Sequence, residues 1–121
     1  MREQIVVIVE HDQYIATLFK RYIERHGYRA VIAPYSLKSL HRLKHLKPRL
    51  FLVGRGNKQV NEFDLIQAIR QMVDNDAQVV LASPMEPDHT YRRQAEQHGV
   101  ETIICQPFSL TKLYTNLYRL L

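Results

Sequence analysis

Ile5-Val-Val-Ile-Val9, followed at once by Glu10-His11-Asp12, is the stretch on which the fold turns. Its five apolar residues are continuous rather than alternating, as in a strand covered on both faces. The run is far below the roughly 20 residues a membrane span needs. It is also too short for a signal-peptide core, and no small-residue cleavage site follows. Asp12 reads as a helix N-cap. Ile15, Leu18, Phe19, Tyr22 and Ile23 follow at three- and four-residue spacing. Gly27 stands where a C-terminal glycine stops a helix.

The same alternation continues outward. Leu50–Val53 and Val79–Ala82 are again continuous runs, while Tyr28–Ala33 and Thr102–Cys105 are more mixed and suit less buried strands. Ser36 caps a second helix with Leu37, Leu40, Leu43 and Leu46 on one stripe, ended by Pro48. A third helix starts near Asn61, with Phe63, Leu65, Ile66, Ile69 and Val73. A fourth starts near Pro87, an N1-type proline, and ends at Gly99. A fifth runs from Ser109 to the end with Leu110, Leu113, Leu117 and Leu120. The result is β-α repeated five times. It predicts an α/β fold with a parallel sheet, right-handed crossovers and helices on both faces.

Composition agrees. The chain has 121 residues, 45% apolar and 24% charged, without repeat, linker or low-complexity tract. That is one domain's length, 1–121, with enough apolar surface to fold. A single Cys excludes an internal disulfide and a Cys-based zinc site, and there is no Asn-x-Ser/Thr sequon. Both facts suit the cytoplasm. The formal charge of +5 points weakly to acidic partners.

Several strings carry a family resemblance. Ile5-Val-Val-Ile-Val-Glu-His-Asp12 resembles the first strand and acidic turn of bacterial response-regulator receiver domains. His26-Gly-Tyr-Arg-Ala-Val-Ile-Ala33 is similar to their second strand, and Lys47-Pro-Arg-Leu-Phe-Leu-Val-Gly54 to their third. Val79-Val-Leu-Ala-Ser83 resembles the fourth. His98-Gly-Val-Glu-Thr-Ile-Ile-Cys-Gln-Pro-Phe-Ser109 resembles the fifth. The resemblance covers essentially the whole chain. It implies the flavodoxin-like strand order 2-1-3-4-5, which receiver proteins of the chemotaxis type carry, with the site at the carboxyl ends of strands 1 and 3.

The pocket residues depart from the family's pattern. The resemblance puts a phosphorylated Asp at the end of strand 3, two acids after strand 1 that help hold Mg²⁺, and a Lys after strand 5. Here those positions are Gly54, the pair Glu10-His11, and Gln106. Glycine cannot form an acyl phosphate. Imidazole is a poor substitute for the oxygen ligands Mg²⁺ prefers. Gln106 cannot balance a phosphoryl dianion. Ser83, the switch hydroxyl, and Pro107, preceded in the family by a cis peptide bond, remain. The aromatic switch position is Ile103. A working pocket of three carboxylates and one ammonium carries a net charge of about −2, and crowded carboxylates invite a cation. Of those four groups only Glu10 is left, and Arg55 would bring the sum near zero. The expectation is a pocket without metal or cofactor that is not phosphorylated: a pseudo-receiver and not an enzyme.

Plainer readings stand beside these. Glu10, His11 and Asp12 suit a solvated loop plus an N-cap, with His11 a candidate pH-sensitive contact. Gly54 suits a close-packed turn. Ser83 before Pro84 suits a turn, Gln106 a local hydrogen bond, and Cys105 a small buried apolar residue. Ser109-Leu-Thr-Lys112 matches the Ser-x-x-Lys string of acyl enzymes without their other motifs. His41 and His45 are the His pair at helical i, i+4 spacing, but no Glu-containing zinc motif surrounds them.

Lys38, Arg42, Lys44, Lys47 and Arg49, with His41 and His45, make a basic patch that reads as a solvated helix face or a docking patch for an acidic protein or phosphate backbone. Nucleic acid is not the expected partner, since no helix-turn-helix or glycine-rich RNA motif is present. On the last helix Leu110, Tyr114, Tyr118 and Leu121 form a stripe beside the core. With Tyr91, Arg92 and Arg93 they suit a contact face across helix 4, strand 5 and helix 5. The expectation is a phosphorylation-independent interaction or dimerisation module, with no membrane attachment. The alternatives are an anion or small-molecule site in the strand-end crevice, using Arg55, Lys58 and Ser83, and a DNA-associated regulator using the basic patch.

Overall fold

β1 (Ile5–Val9) pairs in parallel with β2 (Arg29–Ala33) on one side and β3 (Leu50–Gly54) on the other. β4 (Gln78–Ser83) and β5 (Thr102–Cys105) extend the sheet, giving the order 2-1-3-4-5 that the resemblance implied. The computed structural model describes residues 4–72, 77–100, 102–105, 115 and 118. The crossovers are α1 (Gln13–Arg25), α2 (Leu37–His41), α3 (Glu62–Met72) and α4 (His89–Gln97).

Why the apolar runs are continuous is visible in the two cores. Successive strand residues point to opposite faces, and both faces are covered. Val6, Ile8, Leu50, Leu52, Val80 and Ala82 pack under α1, against Ala16, Phe19 and Ile23. Val7, Val9, Phe51, Val53, Val79 and Leu81 pack on the other face, against residues of α2, α3 and α4. Full burial of one large apolar side chain is worth about 1.5–3 kcal/mol, so neither face tolerates polar alternation.

Local rules set most helix starts. Asp12 Oδ1 accepts the N–H groups of Tyr14 (3.0 Å) and Ile15 (3.2 Å) and so caps α1. Ser36 caps α2 through the Ser39 N–H. Gly27 and Gly99 take positive φ, +91° and +76°, just beyond α1 and α4, a conformation that costs glycine little.

Three expectations need correction. The second helix does not reach Pro48: α2 ends at His41, and Lys44–Leu46 form a 3-10 turn. A leucine every third residue drifts around an α-helix but stays on one face of a 3-10 helix. Only Leu40 is fully buried, and Leu37 is exposed. The i, i+4 relation between His41 and His45 is lost with the helix. Pro87 is not the first helical residue of α4; Asp88 is the N-cap, accepting the Tyr91 N–H at 2.8 Å. In α1 the core stripe is Ala16, Phe19 and Ile23, while Leu18 faces outward. The expected fifth helix lies outside the described residues, apart from Thr115 and Tyr118, which are helical and exposed. Among the described residues no helix is long and apolar enough to cross a membrane.

Candidate functional site

Strand order reverses between β1 and β3, and the crevice outside their carboxyl ends is the usual ligand position in open α/β sheets. Register aligns Val9 with Ala33 and Val53, so Glu10, Pro34 and Gly54 emerge there together.

Glu10 is not a solvated loop residue: it is 8% exposed. Its Oε1 accepts the Asp12 N–H at 3.1 Å. Its other oxygen lies against Gly54: a Cβ on Gly54 would collide with Oε2 and stand 2.7 Å from Cδ. Burial raises the Glu10 carboxyl above its ordinary value; the Asp12 N–H and nearby His11 oppose that rise.

The end of β3 is closed from the other side. Tyr35 Oη donates to the Gly54 carbonyl at 2.6 Å. His11 Nε2 lies 3.1 Å from the Arg55 carbonyl, and since a carbonyl only accepts, that nitrogen carries the proton. The two rings meet edge to face at 5.4 Å. Burial, reinforced by the charges of Glu62 and Glu10, pushes the Tyr35 phenol upward, so it stays a neutral donor.

Arg55 does not balance Glu10. Its Nε donates to Glu62 Oε2 at 3.4 Å, and its guanidinium lies 4.0 Å over the Tyr91 ring. Tyr91 Oη donates to the same Glu62 oxygen at 2.8 Å. Glu62 is buried, and Phe63 packs on Tyr91 and His98. Burial raises the Tyr91 phenol, and so does its bond to Glu62, while Arg55 opposes. One buried carboxylate thus joins the loop after β3, the start of α3 and the first turn of α4. The loop itself is tight. Asn57 Oδ1 accepts from Gln59 and Val60 (2.8 and 2.9 Å). A Cβ on Gly56 would strike the Val60 carbonyl and lie 2.9 Å from the Glu62 nitrogen.

Ser83 is fully buried at the end of β4. Its Oγ donates to the Met85 carbonyl at 2.6 Å and accepts the Met85 N–H at 3.3 Å, a turn role. Cys105 is half-buried rather than buried, its Sγ 3.1 Å from Glu86 Oε2. Arg92 pairs with Glu86, Arg93 and Tyr118 are exposed, and Tyr91 belongs inside and not to an exposed face. Lys58 is exposed, as are Lys38, Arg42, Lys47 and Arg49; Lys44 lies in the 3-10 turn. Gln106, Pro107, Leu110, Tyr114 and Leu121 lie outside the described residues.

Mg²⁺ is the metal the fold implies, and these residues do not fit it. It prefers octahedral oxygen ligands. The crevice offers one buried carboxylate already bonded to a backbone N–H, an imidazole bonded to a carbonyl, and a glycine. Among the described residues no three His, Cys, Asp or Glu converge on a common point.

Sequence reasoning missed Tyr35 and Glu62. Glu62 had a signal: it sits in phase with Ile66 and Ile69 on the buried stripe of α3, where a carboxylate needs partners. Tyr35 had none, because its partner is 19 residues away.

The backbone has close matches among solved structures. Chemotaxis protein CheY4 of Vibrio cholerae superposes with a TM-score of 0.86 at 14% identity, over 99% of this chain and 100% of that one. A response regulator from Thermotoga maritima gives 0.84 at 20% identity, over 98% of both chains. HP1043, an orphan response regulator of Helicobacter pylori, gives 0.78 at 17% identity, over 97% and 95%. No protein-family profile matches the chain, and no curated protein matches it in sequence. The fold is that of response-regulator receiver domains.

Proposed function

We propose that the chain is a receiver-type signalling module that works without phosphorylation, through binding of a protein partner or a second copy. The observation that carries this reading is Glu10: its carboxylate occupies the volume that a side chain on Gly54 would need. By the family resemblance, Gly54 stands where the acceptor carboxylate would be. Arg55 pairs with Glu62, and Ser83 is bonded within its own turn. The groups that would receive and sense a phosphoryl group are absent or otherwise engaged. In an ordinary receiver the phosphoryl group shifts a two-state equilibrium; here binding energy from a partner has to do so. The exposed Tyr118 and Arg93 support a contact face on the α4 side and last-helix side.

The test is to incubate the full chain with Mg²⁺ and acetyl phosphate, or with beryllofluoride, and to record intact mass and amide NMR spectra. No mass gain and no shifts around Glu10, Gly54 and Ser83 are expected. Covalent phosphate on any acid, Asp12 included, overturns the reading.

A further inference from the structure

Residues 25–61 hold nine of the 17 Lys and Arg and no Asp or Glu. That stretch therefore carries a formal +9, and the rest of the chain −4. The fold gathers much of this charge at one end. In a parallel α/β sheet every helix ends, and every strand begins, on the same side. Arg25 closes α1, Arg29 opens β2, Arg42 is the C-cap of α2, and Lys47 and Arg49 lead into β3. The Arg29 and Arg49 backbones flank the start of β1, donating to Gln4 O and Ile5 O at 2.9 Å. All five side chains are exposed. Among the described residues none of them has a carboxylate partner; neighbouring Glu24 is held by Lys20 at 3.0 Å.

We propose that this end of the sheet, opposite the crevice, is a docking surface for the phosphate backbone of double-stranded nucleic acid, read without sequence preference.

Complementing helix dipoles does not account for the cluster. A helix C-terminus carries roughly half a negative charge, so α1 and α2 call for about one cation between them, and five are present. Lys47 adds a second indication. It holds φ at +50°, the left-handed region where glycine or asparagine costs less. The backbone conformation is no reason for a lysine there.

The chemistry favours phosphates over an acidic protein. Protein interfaces rely on buried apolar or aromatic anchors at their centre. Tyr14 and Leu37, both exposed, open their helices and so stand at the opposite end, and Leu18 is mid-helix. Phosphates need charge alone. The absence of a recognition motif argues against base reading and leaves backbone binding untouched.

The experiment is fluorescence anisotropy of a labelled duplex of about two helical turns, titrated with the full chain at several salt concentrations. Binding at low salt is expected, with log K falling against log salt at a slope of about −4, near −0.9 per phosphate engaged. The variant R42Q/K47Q/R49Q should flatten that slope by about 2 to 3 and weaken binding at least about tenfold. K58Q, in the exposed loop after β3 at the opposite end of the sheet, should change neither. Urea unfolding confirms that both variants are folded. Three outcomes overturn the proposal: no binding at low salt, a slope shallower than about −2, or binding that survives the triple change. Tighter binding of polyglutamate than of the duplex overturns it in favour of an acidic protein.

Discussion

Glu10 and Gly54 compete for one side chain's volume: the carboxylate of the first stands where a Cβ on the second would have to be. Because the obstacle is the far end of a flexible side chain, the two positions are energetically coupled. Gly54→Ala should destabilise the fold by about 1–2 kcal/mol, in the range of mild overpacking. In Glu10→Ala the same change should cost less, by at least about 0.5 kcal/mol. A urea double-mutant cycle measures it. Strict additivity would mean the two side chains do not share that space.

Gly56 meets a different obstacle. A Cβ there would press on the Val60 carbonyl and the Glu62 nitrogen, which cannot swing away. Gly56→Ala should therefore cost more than Gly54→Ala, at or above the upper end of the roughly 1–3 kcal/mol that overpacking costs. Urea midpoints of the two variants compare them directly.

Burial raises the Glu10 carboxyl, so the folded chain keeps a proton that the unfolded chain has already lost. With more protons bound in the native state, stability falls as pH rises from the ordinary carboxylate range through the raised value. The full penalty remains above it. Glu10→Gln leaves an oxygen for the Asp12 N–H and removes that penalty. As pH rises from about 4, the ordinary carboxylate range, the variant should gain on the parent protein in urea unfolding. A difference independent of pH would show that this carboxyl titrates normally.

The Glu62 carboxylate depends on two partners from distant segments. Tyr91→Phe removes the phenolic donor at 2.8 Å while keeping the ring under Arg55. It should cost about 1–3 kcal/mol, as for a hydrogen bond to a buried charge. Tyr14→Phe, at an exposed ring, should be close to neutral. Thermal unfolding of both variants tests this.

Much of the fold was legible in the residues. Continuous apolar runs marked strands covered on both faces, and Asp12, Ser36, Gly27 and Gly99 marked helix ends, because these signals act over a few neighbouring positions. The 3-10 turn at Lys44–Leu46 was written in the three-residue leucine spacing, although that spacing also resembles a longer helix. The crevice was legible only by what it lacks. Gly54 marked a position without a side chain, but not that Glu10 would lie against it.

The sequence by itself determined the order of elements and the parallel sheet, since periodicity, capping and residue identity are local properties. Only the tertiary structure decided that His11 would hold the Arg55 carbonyl 44 positions away, that Tyr91 would turn inward to Glu62 across 29 positions, and that cations from separate elements would share one end of the sheet. Those outcomes depend on which segments the crossovers bring together, and no local pattern encodes a contact between residues that far apart in the chain.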